Sequence, residues 1–392
     1  MNHSDETNEY QEIRRRSRRR KKRRNSGFYK FTRILSILYL ISLAVFSVVL
    51  VKLDILPVNV LVAVLAVLIL LSAVLFIQLF FKNIRMWAKV FACILSSLLL
   101  IVFSFGSAYA LGTLDFLDKV SNPDNPDSVN VTEESFNVLI TGIDTRGTIE
   151  EEGRSDVNMI ATVNPVDGKV LLTSIPRDYY VRLPDHGYAG DKLTHTGFYG
   201  TNTTILAIED LLGININYYV KVNFSTVEEF VNAIGGVDVY SEYEFVPVKR
   251  KQWTVKKGMN HMNGEEALAF ARERKAFVTG DNQRIKNQQA VMEALIKKAT
   301  SGTTMLLKYN KILNSLEDYF EMNFSSTEIR AIGKLQITKS IDWDIEKNTL
   351  TGHDASEATY STGSQRVYVM SQDETSINEA KNMITEVSRI SE

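Results

Sequence analysis

The chain has 392 residues, room for two or three domains, with ordinary charged (23%) and hydrophobic (45%) fractions. Its single cysteine, Cys93, lies in an apolar segment, which excludes an intrachain disulfide and a zinc site resting on cysteines. The net charge of -1 conceals an asymmetry: residues 1–33 carry twelve Lys/Arg against four acids and sum to +8, so the remaining 359 residues sum to -9.

Residues 1–33 form a basic tail whose first thirty residues lack apolar periodicity and are expected to be disordered. The run Arg14–Arg24 reads as a topogenic, lipid-facing patch, because Lys/Arg close to a first membrane span hold that side in the cytoplasm. A nucleic-acid partner is not expected, since no recognition helix or aromatic platform accompanies the run. Three apolar segments follow between residues 34 and 111, Ile34–Val51, Val58–Phe81 and Trp87–Leu111, each close to or beyond the length of a membrane span. A cleaved signal peptide does not fit a first segment this long with two more behind it. Lys82, Arg85 and Lys89 in the second turn belong on the cytoplasmic side with the tail. Three crossings then place everything after Leu111 outside the cytoplasm.

Residues 112–134, with Asn122-Pro-Asp-Asn-Pro-Asp127, read as a polar linker. From Phe136 the pattern changes to alternating strands and helices, predicting a layered α-β-α domain with a mixed sheet over residues 135–300. Strands are expected at Phe136–Thr141, Val157–Val163, Lys169–Ile175, Tyr218–Val222 and Val237–Tyr240. Thr203–Leu212 reads as a helix stopped by Gly213. Ser225-Thr-Val-Glu228 reads as the capping box of a second helix, ended by Gly235-Gly236. Asn263-Gly-Glu-Glu266 starts a third, and Asp281 caps a fourth with Ile285, Met292, Leu295, Ile296 and Ala299 on one face. Residues 301–392 are expected to add a C-terminal α/β extension packed on this domain, with two or three helices and a strand at Arg366–Met370.

Charged residues cluster at the ends of these elements. Asp144 follows a strand end, where α/β sheets bind ligands, and so does Arg177 in Ile175-Pro-Arg-Asp178. Arg154 and Asp156 stand just before a strand, and Arg272-Glu-Arg274, Asp281, Arg284 and Gln288 come later. Arg284 and Gln288 share a helix face, with Arg284 in the first turn, where backbone N–H groups and the helix dipole favour an anion. Arg272 and Arg274 face one way only if the chain there is extended, so the third helix should end near Ala271. Guanidinium groups suit a diphosphate, and two carboxylates beside them suit Mg²⁺, which takes one or two Asp/Glu plus phosphate oxygens. Taken singly these residues also fit surface ion pairs, Asp144 with Arg146 and Arg154 with Asp156, of little energetic weight. His195 and His261 fit hydrogen-bonding loop positions better than a general base, and Tyr218-Tyr219 fit a core.

The order of several blocks resembles the LytR–CpsA–Psr family of cell-wall glycopolymer ligases. They are Asn137-Val-Leu-Ile-Thr-Gly-Ile-Asp-Thr-Arg146, Arg154-Ser-Asp156, Ser174-Ile-Pro-Arg-Asp178, Lys192-Leu-Thr-His195, Ala233-Ile-Gly-Gly-Val-Asp-Val239, the run Met262–Arg274, and Gly280-Asp-Asn-Gln-Arg284 with Gln288. The resemblance implies an enzyme of the bacterial cell membrane, multi-pass, with a cytoplasmic N-terminus and an extracytoplasmic catalytic domain. It implies Mg²⁺ (with Mn²⁺ as the alternative) held by Asp144 and Asp156, and a pyrophosphate held by Arg154, Arg177, Arg272, Arg274, Arg284 and Gln288. Asp281 would orient neighbouring arginines, and Asp144, Asp156, Arg177 and Arg274 would carry the catalysis. Arg146 and Lys192 also match family positions. Asn287-Gln288 stands where many members have Arg-Gln, one positive charge fewer.

The implied reaction moves a capsular or teichoic-acid-like glycopolymer from a polyprenyl-pyrophosphate carrier, its isoprenoid chain in an apolar cavity, to peptidoglycan. Envelope-assembly proteins would be further partners. Two other classes remain open at this point: a membrane-bound regulator of envelope genes acting through the basic tail, and a module that binds a lipid-linked polymer without turnover.

Overall fold

The computed structural model describes residues 3–121, 125–145, 149, 153–278, 280–300 and 320–391. The chain divides into two compact units, residues 1–112 and 113–392. The first holds α1 (His3–Leu53), α2 (Val58–Phe80) and most of α3 (Met86–Val120). All three helices are long and apolar enough to cross a membrane. They meet through Tyr39, whose hydroxyl lies 2.7 Å from Ser72 Oγ, and through Phe46 stacked on Phe103 at 5.1 Å. Outward-facing residues such as Ile41, Leu70 and Phe105 are exposed apolar side chains, as a lipid-facing surface requires.

Two expectations change here. The backbone of α1 begins at His3 and takes in the basic run, where disorder was expected. Arg, Lys, Glu and Gln are strong helix formers, and no proline interrupts the path back from the apolar segment. Likewise α3 extends to Val120, through the first part of the expected linker.

In the second unit the strands and helices alternate as the hydrophobic pattern predicts. They are β1 (Phe136–Ile143), β2 (Ser155–Asn164), β3 (Lys169–Ser174), β4 (Tyr180–Leu183), β5 (Ala189–Lys192), α4 (Thr201–Leu212) and β6 (Tyr218–Asn223). Then come α5 (Phe224–Ile234), β7 (Val237–Ser241), β8 (Gly258–Met262), α6 (Gly264–Arg272), α7 (Asp281–Thr300) and β9 (Phe320–Met322). The chain closes with α8 (Ser326–Lys339), β10 (Asp344–Thr349), β11 (Gly352–Ala358), β12 (Arg366–Gln372) and α9 (Glu374–Ser388). The cap of α5 is Asn223 with Thr226, two residues before the predicted Ser225 box, because Asn223 also ends β6 and its side chain accepts the Thr226 N–H.

A six-stranded mixed sheet, ordered β10-β3-β2-β1-β6-β9, organises the unit. β1 lies parallel to β6 and antiparallel to β2, and β3 lies parallel to β10. Period-two alternation divides the core cleanly. Leu139, Ile160 and Leu171 face α4 and α9, packing on Ile208, Leu211, Ile377 and Ile384. Val138, Met159, Ala161 and Leu172 face the other way, towards Met292 and Ile296 of α7 and Ile329 of α8. The result is the expected α-β-α layering.

Both edge strands, β9 and β10, come from beyond residue 300. The boundary expected there therefore falls inside one sheet. A third cluster, with Val231, Val239, Phe270 and Val291, joins α5, α6 and α7 to the β7–β8 hairpin. Gln289 staples α7 to the sheet, its Nε2 donating to Ser174 Oγ at 3.1 Å and to the Asn348 carbonyl at 2.7 Å.

Gly264 allows α6 to start hard against α5. A Cβ there would run into the Glu228 carbonyl oxygen, and the Gly264 N–H already donates to Asn232 Oδ1 at 2.9 Å. Gly264→Ala is expected to lower stability by about 1–3 kcal/mol through overpacking. Thermal unfolding of the purified protein checks this, and an unchanged Tm would disprove the tight contact.

Candidate functional site: an arginine pocket beside an apolar cavity

At the carboxyl ends of β1, β3 and β6 a cavity of about 280 Å³ collects nearly every charged residue singled out by spacing. Asp144 enters from the end of β1, Arg177 from the turn after β3, Arg272 and Arg274 from the end of α6, and Arg284 and Gln288 from α7. Asp156 arrives by a break in the ladder. Gly142 pairs with Val157 and Ile143 with Ser155, leaving Asp156 as the extra residue of a β-bulge. Such a bulge re-aims a side chain that regular pairing would hold in the sheet plane.

Contacts within the pocket alternate in sign. Arg177 Nη1 donates to Asp156 Oδ1 at 3.1 Å, and Thr194 Oγ1 donates to the same oxygen at 3.3 Å. Lys192 Nζ lies 3.0 Å from Asp178 Oδ1, and Arg177 Nε 3.5 Å from Asp178 Oδ2. Arg272 Nη2 reaches Asp144 Oδ1 at 3.4 Å while its guanidinium lies 3.6 Å above the Phe224 ring. Arg284 Nη2 donates to Asp281 Oδ2 at 2.9 Å.

Six cations (Arg177, Lys249, Arg272, Arg274, Lys275, Arg284) line the cavity against three acids (Asp144, Asp156, Glu273). Glu273 is turned away. It is 5% exposed, and its carboxylate accepts the N–H groups of Val248, Lys275 and Ala276 at 2.6–3.0 Å. Its backbone is extended (φ -72°, ψ 127°), so Arg272 and Arg274 both line the pocket on either side of it.

Two of the guanidinium groups are shifted in opposite directions, although burial acts downwards on both. Arg284 is held below its ordinary pKa by burial; Asp281 and Asp156 oppose this, and Arg177 and Arg274 reinforce it. Its Nε is buried with no hydrogen-bond partner among the described residues. For Arg177 burial works downwards too, but Asp156 and Asp178 outweigh it and raise the pKa. A multiply charged anion would relieve both the repulsion and the orphaned donor.

Some expected residues fall elsewhere. The Arg154 side chain is exposed and does not line the cavity; its carbonyl oxygen accepts the Asp144 N–H at 3.2 Å. Arg146 lies outside the described residues. His195 bonds Asp191 and Ser361 through Nδ1, and His261 bonds Asp238, so neither faces the pocket. Asn287 is buried behind α7, donating to the Phe270 carbonyl, so the missing charge at this position is not missing from the pocket wall. Reasoning from sequence passed over Thr194, Phe224, Lys249 and Glu273. Of these only Thr194 and Glu273 sit inside blocks already singled out, and nothing in the pattern marked their roles.

A second cavity, of about 470 Å³ and lined almost wholly by apolar side chains, is built from the same elements. Ile140 of β1, Val222 of β6, Val227 and Phe230 of α5, and Met292, Leu295 and Ile296 of α7 form its walls. One stripe of α7 thus runs from Arg284 and Gln288 in the charged pocket to Met292, Leu295, Ile296 and Ala299 in the apolar one.

Fold and site together define a membrane-helix protein whose α/β domain pairs an arginine-lined pocket with an apolar cavity. The chain belongs to the LytR–CpsA–Psr family, whose model matches residues 113–384. A Bacillus subtilis (strain 168) protein named polyisoprenyl-teichoic acid–peptidoglycan teichoic acid transferase TagT is 34% identical over 291 residues, 70% of this chain and 88% of its own length. Among solved structures, TagT bound to LIIa-WTA superposes with a TM-score of 0.55 at 29% identity, covering 69% of this chain and 97% of that one. TagV of Bacillus subtilis superposes at 0.54 with 28% identity, covering 66% and 99%. A protein from Enterococcus faecalis described as a transcriptional regulator does so at 0.54 with 25% identity, covering 66% and 90%.

Glu273→Ala removes a charged acceptor shared by three backbone N–H groups. It is expected to cost about 2 kcal/mol of stability and to weaken inorganic pyrophosphate binding as Arg272 and Arg274 lose their fixed turn. Calorimetric unfolding and titration of the same sample check both; wild-type affinity in the variant would show that Glu273 does not set the turn.

Proposed function

We propose that this protein transfers a phospho-linked glycopolymer from a polyprenyl-pyrophosphate carrier to a peptidoglycan hydroxyl, at the outer face of the membrane that its helices span. The continuous stripe of α7, cationic and amide-bearing at Arg284 and Gln288 and apolar from Met292 onwards, carries this reading. It matches an amphiphile with a charged head and a hydrocarbon tail. The name of the TagT relative supports the same donor and acceptor classes. Lys82, Arg85 and Lys89, on the turn shared with the basic tail's side, favour the outward orientation.

In this reading the isoprenoid lies along Met292, Leu295 and Ile296, and its pyrophosphate enters the arginine pocket. The acceptor oxygen attacks the phosphorus that bears the glycan. A new P–O bond forms, the P–O bond to the departing polyprenyl phosphate breaks, and the hydroxyl proton passes to that leaving phosphate or to solvent. Arg177, Arg274 and Arg284 neutralise charge on the phosphoryl oxygens, which is most of what phosphoryl transfer asks of a protein.

The donor set also fits Mg²⁺. Asp144 and Asp156 line one cavity and would hold the ion together with phosphate oxygens of the substrate. When bound, the ion would supply further neutralisation of the phosphate oxygens. The regulator reading rests on the basic run and on descriptions such as that of the Enterococcus faecalis protein, and it leaves both cavities without a role.

The full chain in detergent, given a polyprenyl-pyrophosphate oligosaccharide and a peptidoglycan acceptor, is expected to release polyprenyl phosphate with Mg²⁺ and not with EDTA. Arg177→Ala and Arg274→Ala should each lower kcat by at least about 100-fold with the fold intact. Full turnover in both variants would sink the mechanism, and turnover in EDTA would remove the metal from it.

A further inference from the structure

The C-terminal hairpin β11–β12 packs on the Asp178–Tyr179 segment that follows Arg177, and nothing in the reaction above uses it. β12 is clamped to the segment that carries Arg177: the Met370 N–H donates to the Asp178 carbonyl at 2.8 Å, and Tyr179 bridges to Met370. Two residues before Met370, on the same face of the strand, Tyr368 presents a ring that is 48% exposed. Lys192 Nζ lies 5.6 Å from the centroid of that ring while bonding Asp178, and the Tyr368 hydroxyl donates to Asp354 Oδ1 on β11 at 2.8 Å.

Three chemical features therefore converge beside the Arg177 segment. There is a flat aromatic ring, an ammonium that bonds one carboxylate and has further N–H donors, and an exposed carboxylate on the tyrosine hydroxyl. A ring face and a set of strong donors and acceptors is what a pyranose recognises, through its C–H face and its hydroxyls respectively. The tyrosine is fixed for the task. Its hydroxyl donates to Asp354, and burial together with that bond pushes its pKa up to about 12, with Asp178 and Asp281 adding to the shift. Lys192, which faces the ring, bonds Asp178, and Asp178 lies beside Arg177, so the ring is on the side of the hairpin that meets the Arg177 segment.

We propose that Tyr368, Lys192 and Asp354 form a sugar subsite that holds the pyranose linked directly to the donor pyrophosphate. The inference deepens the proposed transferase reading and rests on it. The sugar next to the phosphate is the occupant, because Lys192 joins the subsite to the arginine pocket through a single residue, Asp178, the neighbour of Arg177. The hairpin thus gives the segment beyond residue 300 a part in donor selection as well as in closing the sheet.

The test compares two lipids on the full chain in detergent: bare polyprenyl pyrophosphate, and polyprenyl pyrophosphate carrying one sugar. The wild type is expected to bind the sugar-bearing lipid more tightly. Tyr368→Ala should weaken the sugar-bearing lipid about tenfold, the loss of one well-placed contact, and leave the bare lipid unchanged. Tyr368→Phe, which keeps the ring, should retain most of the difference. Equal weakening of both lipids would show that Tyr368 only supports the arginine pocket through Lys192, and no weakening of either would show an idle ring; both overturn the subsite. A wild type that binds the bare lipid but gains nothing from the sugar overturns the subsite while sparing the transferase reading. A wild type that binds neither lipid overturns both.

Discussion

Crowding of like charge around Arg284 is the constraint to which the rest of the domain answers. A guanidinium that is 7% exposed, with Arg177 and Arg274 close enough to lower its pKa, is costly unless carboxylates stand nearby. Asp281, three residues earlier on α7, and Asp156, on the bulge of β2, supply them. Each is placed by backbone geometry, a helix first turn in one case and a two-against-one ladder in the other. An excess of cations remains in the cavity lining, the balance that an anion would offset. A structure selected for stability alone would have replaced one arginine by an apolar residue of similar volume.

The same helix explains why the charged pocket and the apolar cavity occur together. α7 buries Ile285, Val291 and Ala294, yet its stripe through Gln288 and Met292 faces open space between helix and sheet. Gln289 holds the helix at that spacing by bonding Ser174, Asn348 and Thr349 at the carboxyl ends of β3 and β10. Met292 and Ile296 already pack against the cluster of Val138 and Ala161, and closing the gap would bury the part of their surface that still faces the cavity. The cavity thus stands where a tightly packed core would otherwise form.

Much of this was legible in the sequence, and the reasons are specific. Arg272 and Arg274 could be put on one side because an extended Glu273 is the only local conformation that does so, and the buried acceptor role of Glu273 then enforces it. The parallel strands β1 and β6 announced themselves as apolar runs, and Asp144 followed from the end of one of them. Less could be read where pairing is distant. β10 has the sequence Asp-Ile-Glu-Lys-Asn-Thr, too polar to read as a sheet strand, and it becomes one because the exposed edge of β3 offers it a ladder. The bulge at Asp156 depends on register against β1, which no local pattern encodes. Arg154 shares a sequence block with Asp156, but on the far side of the bulge it contributes its carbonyl and its side chain does not line the cavity.

The carboxylates carry a further consequence for the magnesium reading. Asp156 spends Oδ1 on both Arg177 and Thr194, and Asp144 spends Oδ1 on Arg272. A carboxylate has lone pairs on two oxygens, so in each case the second oxygen is the one left to meet a cation. Orientation of a ligand through a hydrogen bond to its other atom is how metal sites fix ligand geometry and tune basicity. On this view the arginines would have two functions that cannot be separated by charge alone. Arg177 and Arg272 would bind phosphate and, through the same contacts that offset their own burial, hold the two aspartates in the attitude a metal needs. A lysine in either place would keep the charge and lose the planar fork that makes both contacts at once.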